Sequence, residues 1–197
     1  MKVIGITGGV GAGKSCVLDF LEKNYNCVIV KADDLAKSLY NKGESCYRPL
    51  IKLLSRDVLN DEGAIDFKKM ASMIYTDESL RLKVNAIVHP RVKKAVLKDI
   101  KKYGREGKYD YYFLEAALLI EDNYRAIVDE IWYIYTDESV RRERLKASRG
   151  YSDEKIDGIL KSQLSEAEYR EGSDFTIDNS GTEEATFIQI RERMNRA

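Results

Sequence analysis

The sequence predicts an α/β protein built on a parallel five-stranded sheet with helices on both faces, and three observations carry that prediction. Short apolar runs of buried-strand type alternate with stretches of helical periodicity. No hairpin turn joins any two of the runs, so the connections must cross over and the strands must run parallel. The first run is followed at once by Gly8-Gly-Val-Gly-Ala-Gly-Lys-Ser15, which satisfies G-x-x-x-x-G-K-[ST], the phosphate-binding loop.

Lys2 to Ile6 is the first strand, and Lys14 to Asn24 is a helix with Val17, Leu18 and Leu21 on one face. Between them Gly8, Gly11 and Gly13 permit a backbone that closes around an anion with its N–H groups turned inward. In such a loop Lys14 reaches the β- and γ-phosphates of a nucleotide, and the Ser15 hydroxyl supplies one ligand to Mg²⁺. Cys27 to Val30 is the second strand. Asp33 follows it closely and has two readings: a functional carboxylate beyond a strand end, or a helix N-cap before Leu35, Ala36 and Leu39, with Asp34 able to take either job.

Residues 35 to 103 are helical almost throughout, with breaks expected at Asn41-Lys-Gly43, Asn60-Asp-Glu-Gly63 and His89-Pro90. That interval exceeds a simple crossover and is expected to form a helical substrate subdomain. His89, the sole histidine, reads as a packed residue at a helix boundary, with a catalytic base as the alternative. Tyr109 to Glu115 is the third strand and delivers Glu115 to the sheet edge, where it could bind Mg²⁺ through water. Ile127 to Tyr135 is the fourth strand and Phe175 to Asp178 the fifth, which ends in the turn Asn179-Ser-Gly181 before a helix from Thr182.

Ser139 to Arg149 carries Arg141, Arg142, Arg144, Lys146 and Arg149 in one helical stretch. Such a run is either a solvated face or a lid whose guanidinium groups neutralise a transferring phosphoryl group, and only one or two of its arginines can face inward. Ile-Tyr-Thr-Asp-Glu-Ser occurs at 74–79 and again at 134–139, with flanks that do not align. The repeat is expected to open two different helices, with Thr76 and Thr136 as N-caps.

Lys plus Arg equals Asp plus Glu at 33 each, which removes any whole-molecule argument for nucleic acid or an acidic membrane as partner. The three cysteines, Cys16, Cys27 and Cys46, lack C-x-x-C spacing, so neither a disulfide framework nor a zinc site is indicated. No apolar run approaches the ~20 residues that span a bilayer, and the first strand starts too early to leave room for a signal peptide; a cytoplasmic protein is expected.

Six segments together resemble the dephospho-CoA kinase family: Ile6 to Ser15, Ala32-Asp-Asp-Leu-Ala36, Val84-Asn-Ala-Ile-Val-His-Pro90, Leu118-Leu-Ile-Glu121, Arg144-Leu-Lys-Ala-Ser-Arg149 and Ile177-Asp-Asn-Ser-Gly181. The resemblance implies a P-loop kinase core over 1–34 and 105–197, a helical CoA-binding insertion over about 35–104 and a lid over about 137–172. It implies ATP-dependent phosphorylation of the ribose 3′-hydroxyl of the small-molecule substrate dephospho-CoA. It carries the phosphate-loop positions onto Gly11, Ala12, Gly13, Lys14, Ser15 and Cys16, the catalytic aspartate onto Asp33, the lid arginine onto Arg149 and the adenine-side loop onto Asn179 to Gly181. The chain departs from the family pattern at Lys31, Phe67 and Glu115. Lys31 is of interest because residues two apart in an extended segment point the same way, which would set its ammonium beside Asp33. Another small-molecule or nucleoside monophosphate kinase, and a nucleotide-binding regulatory protein that has lost catalysis, are the rival readings.

Overall fold

The computed structural model describes residues 1–195. The chain divides into two compact units, one of Met1–Ile29 with the chain from Glu106 onward, the other Val30–Arg105.

The first unit carries the parallel sheet. Its strands are β1 (Lys2–Thr7), β2 (Cys27–Lys31), β3 (Tyr111–Glu115), β4 (Glu130–Tyr135) and β5 (Phe175–Asp178), in the order β2-β3-β1-β4-β5. β1 lies at the centre, paired in parallel with β3 on one side and β4 on the other, and β5 pairs in parallel with β4. The chain therefore reverses its direction of growth at β1, and the crevice such a reversal opens lies at the carboxyl end of the strand that feeds the glycine loop.

Alternation along β1 sorts the core into two faces. Ile4 and Ile6 pack with α1 (Lys14–Asn24) and α9 (Glu183–Met194) in a cluster that includes Val17, Leu18, Leu21, Phe113, Trp132 and Ile190. Phe20 of α1 stacks on Phe187 of α9 at 4.1 Å between ring centroids. On the opposite face Leu119 lies so close to Gly5 that an added Cβ would come within 2.7 Å of it. Tyr133 there stacks on Tyr169 of α8 (Glu166–Glu171) at 4.7 Å. β1 and β4 are buried almost end to end, as both-face coverage requires.

One device closes the ladder at two strand starts. Asp129 and Asp174 immediately precede the entries to β4 and β5, and each carboxylate accepts a backbone N–H from the neighbouring strand, from Val3 and Ile131, both at 2.7 Å.

The second unit is helical: α2 (Ala32–Ser38), α3 (Tyr47–Leu54), a 3-10 turn (Arg56–Val58), α4 (Phe67–Thr76) and α5 (Glu78–Glu106), with one antiparallel bridge between Leu59 and Ile65. α5 buries Val84, Val88, Val92 and Val96, one residue per turn along a single stripe.

Two expectations about the helices fail. The break expected at His89-Pro90 is absent, because α5 runs through Pro90 for 29 residues. Pro90 is exposed, so its ring projects to water, and the local cost of the lost N–H is offset by the valine stripe on the buried side. Thr76 and Thr136 cap nothing. Thr76 ends α4, the Asp77 carboxylate accepts the Leu80 N–H at 2.9 Å to open α5, and Asp137 holds the N-cap position of α6 (Glu138–Arg149). In both copies aspartate stands at the helix start: Asp77 through its acceptor, Asp137 through its charge alone, since its carboxylate accepts from the Tyr135 hydroxyl. Among the described residues no helix is long and apolar enough to cross a membrane.

Candidate phosphate-binding site

β1 ends at Thr7 and the glycine loop leads into α1, the strand, loop and helix order that the motif requires. Gly13 is the N-cap of α1 at φ 82°, and no acidic residue stands in the first turn, so the positive end of the helix dipole is offered to an anion. A Cβ at Gly13 would come within 2.2 Å of Asn179 Nδ2, so conformation and space both demand glycine there.

Lys14 Nζ donates to the Gly8 carbonyl at 2.8 Å and stands 3.6 Å from Glu115 Oε1. Glu115 is brought there by register, since it pairs with Ile6 at the end of β1. Carbonyl and carboxylate thus hold the ammonium at the head of the loop, where phosphate oxygens can replace them as acceptors. Ser15 is exposed on the first turn of α1, which leaves its hydroxyl open to a ligand. Cys16, half-buried beside it, has its thiol pushed above its ordinary value by burial and by the Glu183 and Asp19 carboxylates, against a smaller pull from Arg144; it is a packed thiol rather than a reactive one.

Asn179 supports the loop from beneath. Its Nδ2 donates to the Ala12 carbonyl at 2.8 Å, and its Oδ1 accepts from the Thr186 hydroxyl at 2.9 Å. Thr136 Oγ1 donates to the same Ala12 carbonyl at 2.9 Å, and Arg144 Nη2 donates to the Asn179 carbonyl at 2.9 Å. Ala12, Asn179, Thr136 and Thr186 are all buried. The side chain of Asn179, expected on the adenine side, is therefore committed to holding the loop.

The cationic stretch of α6 divides by partner. Arg141 and Arg144 turn to the glycine loop and its support, as one or two were expected to do. Arg142 pairs with Glu138 at 2.8 Å and with Asp157 of α7 (Asp153–Lys161) at 2.6 Å, and Lys146 pairs with Asp153 at 2.7 Å. Arg149, the arginine singled out by resemblance, ends α6 exposed, beside the ring of Tyr151. Sequence reasoning took Thr136 for an N-cap and passed over Thr186 and Gln163, because their hydroxyl and amide groups give no local signal of a distant partner.

In the second unit Asp33 lies exposed in the first turn of α2, two residues beyond the end of β2. Neither it nor Asp34 is the N-cap; that position is Lys31, in extended backbone at φ −95° and ψ 118°. Since Asp33 is already helical, the two-residue alternation that would align it with Lys31 does not apply across the junction. Asp34 instead pairs with Lys37 at 2.9 Å, and this hydrogen bond and charge hold its carboxyl below the usual carboxylate range. His89 lies half-buried inside α5, away from any helix boundary. Phe67 is half-exposed at the start of α4, with its ring 5.7 Å from that of Tyr40.

A family model described as dephospho-CoA kinase matches residues 2–184. A dephospho-CoA kinase of Shouchella clausii is 32% identical over 191 residues, which span 97% of this chain and 96% of the relative. The dephospho-CoA kinase structure from Campylobacter jejuni has a TM-score of 0.73 at 20% identity, covering 99% of this chain and 96% of that one. The shikimate kinase structure from Acinetobacter baumannii has a TM-score of 0.54 at 14% identity, covering 99% and 92%, and so shares the fold.

Proposed function

From the premise that this chain belongs to the dephospho-CoA kinase family and phosphorylates dephospho-CoA at the expense of ATP in coenzyme A biosynthesis, we propose how its own residues divide that work. Lys14 and the amides of Gly11 to Cys16 bind the triphosphate. Asp33 accepts the proton of the ribose 3′-hydroxyl as the oxygen attacks the γ-phosphorus, the bond from that phosphorus to the bridging oxygen breaks and ADP leaves, while Arg149 neutralises charge that builds on the transferring group. The glycine loop carries this reading: a lysine held at its head by a carbonyl and a carboxylate, above a helix N-terminus without an acidic residue.

Among the described residues no group of three His, Cys, Asp or Glu could hold a metal ion. A Mg²⁺ that keeps water and phosphate oxygens as ligands requires only one or two protein groups, and the exposed Ser15 hydroxyl fits that donor set, with the Glu115 carboxylate placed to act through water. When bound, it would supply neutralisation of phosphate charge. The stretch 137–172, formed by α6, α7 and α8, serves as the lid that excludes water, with Arg149 at the end of its first helix. The same proposal places the enzyme in the cytoplasm, where Cys16, Cys27 and Cys46 stay reduced.

The experiment is a coupled assay that offers dephospho-CoA, adenosine, AMP and phosphopantetheine as acceptors, with the product identified by mass and phosphorus NMR. A 3′-phosphorylated product from dephospho-CoA alone is expected; faster phosphorylation of AMP would sink the assignment. Asp33→Asn is expected to cut turnover by roughly 10²–10⁴ with ATP affinity retained, and near-normal turnover would remove Asp33 from the mechanism. Lys31, exposed and unaligned with Asp33, is assigned to the acceptor's phosphates. Lys31→Ala should accordingly raise the acceptor KM and leave the acidic limb of the rate profile in place; an unchanged KM with a displaced limb would reverse that assignment.

A further inference from the structure

Val10, in the middle of the glycine loop, is gripped through both polar groups of its backbone. Arg141 Nε donates to the Val10 carbonyl at 3.1 Å, while Arg141 Nη2 donates to Gln163 Oε1 at 2.6 Å. The same amide oxygen of Gln163 accepts the Val10 N–H at 3.4 Å. Two donors converge on one atom, which fixes the amide orientation, because the flipped NH₂ could accept from neither. Gly9 leaves the space for this arrangement: an added Cβ would come within 2.3 Å of Arg141 Nη2 and 2.8 Å of Gln163 Oε1. Gly9 is not among the residues at positive φ, so its requirement is for room and not for conformation.

We propose that Arg141 and Gln163 are positioning residues that clamp the two peptide groups meeting at Val10 and so pre-aim the phosphate-loop amides at the triphosphate. The inference rests on ATP binding at this loop. A glycine-rich loop has the most conformational freedom to lose, and its amides stabilise phosphate only when they already point inward. The clamp removes rotation of the central peptides before nucleotide arrives, so ordering is not charged against binding. Gln163 suits this position as an uncharged acceptor, since a carboxylate there would stand beside the incoming triphosphate. The grip is also dry enough to matter: Arg141 is half-buried, and its guanidinium faces a loop carbonyl and an amide oxygen rather than a carboxylate.

The test combines amide exchange, steady-state kinetics and a mutant cycle. In Gln163→Leu the Val10 amide should exchange about ten-fold faster and the KM for ATP should rise about ten-fold, with the KM for dephospho-CoA unmoved, the loss appropriate to one charge-assisted hydrogen-bond ring. Gln163→Glu keeps the acceptor and should restore Val10 protection while still weakening ATP binding by repulsion. Gly9→Ala should weaken ATP binding strongly in the native background and only slightly in Arg141→Ala/Gln163→Ala, where the added methyl has nothing to strike. Unchanged Val10 exchange in Gln163→Leu, an acceptor KM that rises in step with that for ATP, or an equal cost of Gly9→Ala in both backgrounds would each overturn the clamp. Exchange at Val10 needs no turnover, so a native protein that failed to phosphorylate dephospho-CoA would refute the kinase assignment and leave the clamp to be judged by itself.

Discussion

Asn179 illustrates how much of the nucleotide loop is held from outside its own motif. Its side chain joins the Ala12 carbonyl to Thr186 in a buried layer, and Gly13 is packed directly against its amide nitrogen. Gly13→Ala would place a methyl group on that nitrogen at a backbone conformation that L residues avoid, so it should lower stability by about 1–3 kcal/mol and displace the loop. Denaturation midpoints together with ATP affinity check this, and an unaltered midpoint would contradict it. The glycine motif, Lys14 and Ser15 were legible in the sequence because strand, loop and helix are neighbours along the chain. The supports were not, for a reason of distance: Ala12 and Asn179 are 167 residues apart, and Val10 and Gln163 are 153 apart. Asn, Gln and Thr give no sign in sequence of which distant carbonyl they will meet. Arg149 and Arg141 make the complementary point, since a run of cations shows that a basic helix exists but not which residue its rotation turns inward.

Among the elements, α5 overrules local chemistry. Proline in a helix interior deletes one N–H and crowds the preceding turn, so the His89-Pro90 pair reads as a boundary, yet Val84, Val88, Val92 and Val96 keep the stripe continuous on both sides of it. Pro90→Ala should therefore stabilise the helix by about 1–3 kcal/mol and raise the thermal midpoint by several degrees. A lower midpoint would contradict this. At the start of α4, Asp66 accepts the amide protons of Lys68 at 2.8 Å and Lys69 at 3.2 Å, and these bonds, that from Lys69 foremost, hold its carboxyl below the usual carboxylate range. A depressed folded value means that the cap contributes fully above the ordinary carboxylate pKa of ~3.9 and is lost as the pH falls through the lower folded value. The Lys68 and Lys69 amide resonances should titrate with a midpoint below ~3.9 and stop moving in Asp66→Asn; a midpoint above it would refute the cap. Sequence reasoning placed the strands within three residues and the first helix at its observed ends, Lys14 and Asn24. It erred where a cap had to be chosen among adjacent polar residues, because Thr and Asp in succession both satisfy the rule.

Across the whole molecule, the parallel pairing of the strands and the helical unit of Val30–Arg105 follow from features the chain displays openly, strand runs without hairpin turns and a long helical stretch between two of them, whereas the order β2-β3-β1-β4-β5 is set by packing alone. Their assembly adds something periodicity does not contain. Arg141 and Gln163 are 22 residues apart and meet at one loop residue, so the chain between them forms a closed ring fastened without a covalent bond. A ring of that kind isolates its far side. Gly150, at φ 62° with open space around its Cβ position, lies within this ring beyond the last turn of α6. Extra length there adds only a slowly growing closure entropy, roughly 0.6 kcal/mol for each doubling, while the fastening keeps the nucleotide loop out of reach of the change. The segment around Gly150 and Tyr151 can thus lengthen without disturbing the loop, though not without moving Arg149 beside it: a short glycine-serine insertion there should leave the KM for ATP within about two-fold of the native value while turnover falls.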